Sequence, residues 1–315
     1  MIIRHLAWAF GRSICLALYG TCLLAGQEPP ITDIIFSPAG QSVVACSQRG
    51  LQIYSWPDLK LQKRVEVLAT NLHAVRFSPD GKRLAVGGGN PAEEGMVEIF
   101  SWPECVSLDT FIGHDDSVLA VQWIGPERIV SVSLDRQIIL WNLAKGEREA
   151  TLRGHSRGVS SLGILPGDQW VTAGHDRSVR VWDGPTGKLT RTLNQHTGDV
   201  HALAICPVVN NQPMVATAAE DRSIRFWQPT IGRMMRYIRL DSTPLDIAWL
   251  DGSHLVAACS DGQLRLVNTD QVKLLGVEPA IDGWAYAVAC HPESGAIVVA
   301  GSGGQLKSMT LPVGK

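Results

Sequence analysis

Seven times along this chain of 315 residues a short apolar run closes on an apolar residue: Phe36, Phe77, Trp123, Ile164, Ile205, Trp249 and Cys290, roughly 40 to 46 positions apart. A second column keeps the same step: Tyr54, Phe100, Trp141, Trp182, Trp227, Val267 and Met309. Two columns sharing one period define a tandem repeat, with units at 27–68, 69–113, 114–154, 155–195, 196–240, 241–280 and 281–315. Within each unit an alternating or apolar run such as AVRFS meets a Pro/Gly/Asp turn. A small, β-branched run such as SVVACS or RIVSVS follows, then a third run such as IILWN or VRVWD. Units of this length built from short strands are blades of a β-propeller. The expected fold is therefore all-β: a seven-bladed β-propeller of four-stranded antiparallel blades, forming one domain over 27–315. Short small-residue strands fit the crowded positions where sheets face one another around a centre. Two insertions interrupt the step, Gly89 to Gly95 in the second unit and Val208 to Gln212 in the fifth.

A hydrophobic content of 45% supplies a core, and 31 glycines with 17 prolines suit a chain of many turns. The 28 Lys and Arg nearly balance 30 Asp and Glu and form no basic run, which argues against nucleic acid as a partner. Of seven cysteines, Cys15 and Cys22 precede the repeats. Cys46, Cys105, Cys206, Cys259 and Cys290 form no CxxC pair and sit in or beside apolar runs, so they read as small buried hydrophobes with neither a disulfide framework nor a metal site.

Residues 1–26 have the pattern of a secretory signal: Arg4, His5 and Arg12 precede an uncharged stretch from Ser13 to Gly26. That places the chain in the periplasm or outside the cell, touching a membrane only if the leader stays uncleaved. An alternative reading aligns Gly26 to Pro38 on Gly154 to Pro166 and makes Cys22 to Ala25 the closing fourth strand of the last blade, which leaves the protein in the cytoplasm. The two readings differ in what completes the seventh unit, because the sequence after its third strand ends at Lys315.

The third, fourth and fifth units share a four-part constellation: His114, Ser131, Asp135 and Trp141; His155, Thr172, Asp176 and Trp182; His196, Thr217, Asp221 and Trp227. Such a set can form one chain of hydrogen bonds, with a turn Asp and a strand hydroxyl on the two imidazole nitrogens and the indole N–H on the hydroxyl. At these residues the chain resembles the WD-repeat family of β-propellers, with Trp182-Asp183 as the dipeptide and Gly113-His114 and Gly154-His155 as its Gly-His partners. Together with the leader, the resemblance implies an exported, bacterial member. The first two units carry Tyr54 and Phe100 in the Trp column, and the last two Val267 and Met309.

The segment Gly154 to Gly158 reads GHSRG, but a nucleophilic Ser156 needs a strand-to-helix elbow, and here the repeat puts a loop between strands. His175 and His201 fit no column and are expected at the surface. No cofactor motif is present, so the expected role is non-catalytic: a scaffold for protein or peptide partners. The alternative is a propeller enzyme or small-ligand sensor that gathers acids and histidines at the channel mouth. The resemblance puts the Gly-His loops and Asp turns on one face, where Arg136, Arg177, Arg222 and Trp284 are the partner-binding candidates. On the opposite face, Ser55-Trp56-Pro57 and Ser101-Trp102-Pro103 are expected to cover their own blades.

Overall fold

The computed structural model of the chain describes residues 28–208 and 213–311. The 1–26 segment, with both readings made of it, lies outside the described residues. Blade 1 contains β1 (Ile31–Phe36), β2 (Ser42–Ser47), β3 (Gly50–Ser55) and β4 (Leu61–Val65). Blade 2 contains β5 (Asn71–Phe77), β6 (Arg83–Asn90), β7 (Glu94–Ser101) and β8 (Ser107–His114), and blade 3 β9 (Val118–Trp123), β10 (Arg128–Ser133), β11 (Gln137–Asn142) and β12 (Glu147–Arg153). Blade 4 contains β13 (Val159–Leu165), β14 (Gln169–Gly174), β15 (Val179–Asp183) and β16 (Lys188–Leu193). Blade 5 contains β17 (Val200–Ile205), β18 (Val215–Ala219), β19 (Ser223–Gln228) and β20 (Arg233–Arg239). Blade 6 contains β21 (Pro244–Trp249), β22 (His254–Cys259), β23 (Gln263–Asn268) and β24 (Lys273–Pro279). Blade 7 shows β25 (Ala285–Cys290), β26 (Ile297–Gly301) and β27 (Leu306–Met309) among the described residues. Each blade is a separate antiparallel meander with its strands in sequence order.

The blades form a closed ring because every buried cluster is shared by two neighbours. Val44 and Leu51 of blade 1 pack with Val75 and Phe100 of blade 2, and Ala85 and Val97 of blade 2 with Val121 and Trp141 of blade 3. The pattern continues through Trp182 against Val132 and Leu140, Trp227 against Val171 and Val181, Val267 against Phe226 and Ala216, and Met309 against Val256 and Leu266. It returns to its start where Ala287 and Val298 of blade 7 meet Ile34, Val43 and Tyr54 of blade 1. The second sequence column is thus the set of side chains that each blade lays on the blade before it. Burying such a side chain contributes about 1.5–3 kcal/mol. Polar links reinforce the same interfaces: the Trp123 indole donates to Arg76 O and that of Trp249 to Ala204 O, each one blade back.

The first strand of every blade lines the central channel, and each carries a bulge near its start. A bulge leaves one residue unpaired and re-aims it. The seven residues so placed are Thr32, His73, Leu119, Ser160, His201, Leu245 and Tyr286, and all of them line one section of the channel. His201 is therefore a channel residue rather than a surface one, and His175 is only partly exposed. On the opposite face, Trp56 packs edge-on to Phe36 at 5.1 Å and Trp102 to Phe77 at 5.1 Å, so both tryptophans cover their own blades. Replacing Phe100, 1% exposed in the interface between blades 1 and 2, with alanine is expected to cost about 3–5 kcal/mol. Leu108→Ala on the exposed β8 is expected to change stability by no more than about 0.5 kcal/mol. Urea unfolding midpoints of the two variants test this contrast.

Candidate functional site

In blades 3, 4 and 5 a histidine just before the first strand, His114 at the end of β8 and His155 and His196 in loops, reaches into the blade that follows it. His155 Nδ1 lies 3.0 Å from both carboxylate oxygens of Asp176, and its Nε2 2.7 Å from Thr172 Oγ1. The Trp182 indole donates to that hydroxyl at 2.9 Å. His114 makes the same contacts with Asp135 and Ser131 at 2.8 Å each, and Trp141 donates to Ser131. His196 meets Asp221 at 3.0 Å and Thr217 at 2.7 Å, with Trp227 on Thr217. Each Asp also accepts the backbone N–H of the residue after its histidine, which fixes the loop to the turn.

Burial by itself would raise these carboxyls. The His155 hydrogen bond and charge, with help from the Ser178 hydroxyl, instead hold Asp176 well below the usual carboxylate range. His196 and Ser223 do the same for Asp221, and the His114 hydrogen bond and charge lower Asp135. With both ring nitrogens occupied, none of these imidazoles can serve as a general base without dismantling its blade. Ser156, the GHSRG serine, lies in the loop between β12 and β13, its N–H on Asp176.

The other blades lack the strand hydroxyl: Ala45, Val86, Ala257 and Val299 hold that register position. Two of them tie loop to strand from the residue that pairs with it. In blade 2, buried Glu98 accepts from Leu68 N at 3.1 Å and from Ser107 Oγ at 2.8 Å. In blade 6, Arg265 is 0% exposed and donates to both Asp241 and Asp261 at 2.6 Å. Sequence columns drawn on His, hydroxyl, Asp and Trp miss these two residues. The available signal was a charged side chain inside the apolar third-strand runs VEIFS and LRLVN.

Arg136, Arg177 and Arg222 occupy the β10–β11, β14–β15 and β18–β19 turns, one position after the network aspartates, and all three are exposed. Each has a left-handed backbone, with φ of 74°, 66° and 59°, where the matching turn of blade 6 has Gly262 at 75°. Arg177 shares Asp199 with Arg157, at 3.8 and 3.1 Å. Trp284, 43% exposed, sits on the same face: its carbonyl accepts from Ser302 N and its N–H donates to Ser302 Oγ in the β26–β27 turn.

The channel gathers a second constellation that the columns did not foretell. Behind the bulge residues a further tier in matching register comprises Ile35, Arg76, Gln122, Gly163, Ala204, Ala248 and Ala289. Its small residues leave a cavity of about 350 Å³ that reaches Arg76 and Gln122, flanked by Leu203, Ile247 and Trp249. Arg76 donates through Nη1 to Asp33 Oδ2 and to Val75 O, each at 2.6 Å. Burial lowers the imidazole pKa of His73 to about 4 and that of His201 to about 4, so both rings are neutral near pH 7. Among the described residues no group of His, Cys, Asp and Glu is arranged to hold a metal ion, and Cys46, Cys105, Cys206, Cys259 and Cys290 are free thiols, all but Cys290 buried.

Comparison with known proteins finds the WD domain, G-beta repeat, matching residues 105–142, 146–183 and 187–228. Those matches span the three histidine networks, and the chain carries WD40 repeats on a seven-bladed propeller. Its relatives include the UBP9-binding protein bun62 of Schizosaccharomyces pombe, 31% identical over 38% of this chain and 23% of that protein. Another is the guanine nucleotide-binding protein subunit beta of the same yeast, 24% identical over 50% of each chain. A third is the WD repeat and HMG-box DNA-binding protein 1 of Xenopus laevis, 29% identical over 36% of this chain and 10% of that one. The chain thus spans half or less of the length of each of these relatives.

The networks and the arginines beside them are expected to separate cleanly on mutation. Asp176→Ala removes the acceptor of a buried imidazole and a loop N–H and is expected to cost about 2–3 kcal/mol. Arg177→Ala removes an exposed side chain and is expected to stay within about 0.5 kcal/mol. Paired thermal melts check this, and equal shifts would contradict the network's role in stability.

Proposed function

We propose that this chain is a non-catalytic scaffold whose turn-bearing face captures a protein or peptide partner, and that it acts outside the cytoplasmic membrane. The observation that carries the first part is the backbone at Arg136, Arg177 and Arg222. A left-handed residue other than glycine costs about 1 kcal/mol or more, and three successive blades bear that cost where blade 6 uses Gly262. The arginines return little to the fold, since their side chains are exposed and the Arg177–Asp199 ion pair, at 3.8 Å, lies at the surface. What they do provide is a cationic arc which, with Trp284, offers the residue types that dominate binding hot spots. An acidic partner segment would be drawn to it electrostatically.

Absence of catalysis is supported by the occupancy of His114, His155 and His196 in structural bonds. Capture of partners fits the relatives, of which one is named as a binding protein and another as a subunit of a guanine nucleotide-binding protein. Action outside the membrane rests on the leader, where Arg4 and Arg12 precede the uncharged stretch from Ser13 to Gly26. Mass spectrometry of the mature N-terminus after cell fractionation tests the location: an intact leader in the cytoplasm overturns it. For the face, the triple variant Arg136→Glu, Arg177→Glu, Arg222→Glu is expected to lose at least tenfold in affinity for an acidic partner peptide while keeping its melting temperature, and Trp284→Ala to weaken binding less. Unchanged affinity in the triple variant would remove the arc from the reading.

A further inference from the structure

The channel contains the same carboxylate arrangement twice, and only one copy is complete. In blade 1, Asp33 Oδ1 accepts Ile34 N at 3.0 Å and Oδ2 accepts Val75 N of the next blade at 2.8 Å. In blade 6, Asp246 Oδ1 accepts Ile247 N at 2.9 Å and Oδ2 accepts Val288 N of the next blade at 2.8 Å. The two aspartates follow the same bulge in the same register. In the first copy the residue after Val75 is Arg76, whose Nη1 bridges Asp33 Oδ2 and Val75 O. In the second copy the residue after Val288 is Ala289, paired with Val298 as Arg76 is with Ala85. A methyl group stands where a guanidinium stem begins, and among the described residues the Asp246 carboxylate forms no ion pair of its own, sharing only the field of Arg76 with Asp33.

We infer that the channel beside Asp246 binds a small guanidinium-type cation, which supplies in trans the group that Arg76 supplies beside Asp33. The space is suited to it. Asp246 borders a polar section of the channel of about 120 Å³ that also contains Asp33, Arg76, Gln122, His201 and Tyr286. A single water needs only about 10–15 Å³ of such space, so this section has room for the planar head of a guanidinium, and the cavity of about 350 Å³ that shares Arg76 and Gln122 with it has room for a short substituent. The electrostatics are suited too, since two carboxylates face one guanidinium. The charged or titratable groups around Asp246 are Asp33 on β1, His73 and Arg76 on β5, His201 on β17, and Tyr286 and Cys290 on β25. Burial, with the charge of Asp33 added, pushes the Asp246 carboxyl up to about 7, and Arg76 only partly offsets this. The guanidinium form is taken from the first copy, where the group that fills the position is the guanidinium of Arg76.

Linkage sets the direction of the pH dependence. A cation binds the ionised carboxylate, so affinity rises as pH passes upward through the Asp246 value of about 7 and is about tenfold higher at pH 8 than at pH 6. The test is a carboxyl-carbon NMR titration of the aspartate-labelled full chain with and without methylguanidinium, and a thermal melt of the same samples. Methylguanidinium at millimolar concentration is expected to lower the Asp246 midpoint and to raise the melting temperature at pH 8 but not at pH 5. Methylammonium is expected to do so more weakly. Ala289→Arg is expected to lower the midpoint without ligand and to abolish the response to the probe, and if that variant does not fold, the titration of the unmodified chain decides alone. A midpoint that methylguanidinium leaves unmoved, or one already in the ordinary aspartate range in the free protein, overturns the assignment. Agmatine binding supports a free small cation; binding of an arginine-containing pentapeptide but not of agmatine overturns that part.

Discussion

A single blade of this protein cannot bury both faces of its own sheet, and the remainder of the structure follows from the way its neighbours do so. Tyr54, Phe100, Trp141, Trp182, Trp227, Val267 and Met309 each lie on the preceding blade, and the last of the seven interfaces joins blade 7 to blade 1. Small second strands such as VATAA let adjacent sheets approach. The hydrophobic effect is non-directional, so burial alone would tolerate sliding between blades. Directional bonds set the alignment: Trp123 to Arg76 O, Trp249 to Ala204 O, and the carboxylates of Asp33 and Asp246 on the next blade's backbone.

With the core built this way, two regions remain free to act, and they differ in kind. On the turn face the network aspartates are tied into their blades, whereas the arginines one position on are exposed and outside the packing. The channel is lined from the first strands themselves, so its chemistry is set by positions that also hold the ring together. Asp33 and Asp246 serve both purposes at once. Their position between blades desolvates them, so either carboxylate is ionised at a cost that a neighbouring cation offsets, as Arg76 does beside Asp33.

The histidine networks were legible in the sequence because all four members belong to one repeat, with hydroxyl, Asp and Trp at fixed offsets: local spacing maps directly onto one sheet. The blade count was legible for the same reason. Glu98 and Arg265 were not, since each performs the loop-to-strand tie with a different residue type from the position opposite an absent hydroxyl. A motif search keyed to chemistry overlooks a replacement keyed to geometry. His201 was misplaced on the surface because the bulge at the start of β17, which turns it inward, is a property of strand pairing.

By itself, then, the sequence determined the all-β repeat, its sevenfold step and the residues of the three networks, since strand periodicity and turn chemistry act over a few residues. Only the tertiary structure decided what faces what across the ring. Asp33, Arg76 and Asp246 come together in the channel although most of the chain separates the first from the last. Side chains on seven separate strands converge because the blades close into a circle, and closure is a sum over all the interfaces that no single repeat encodes.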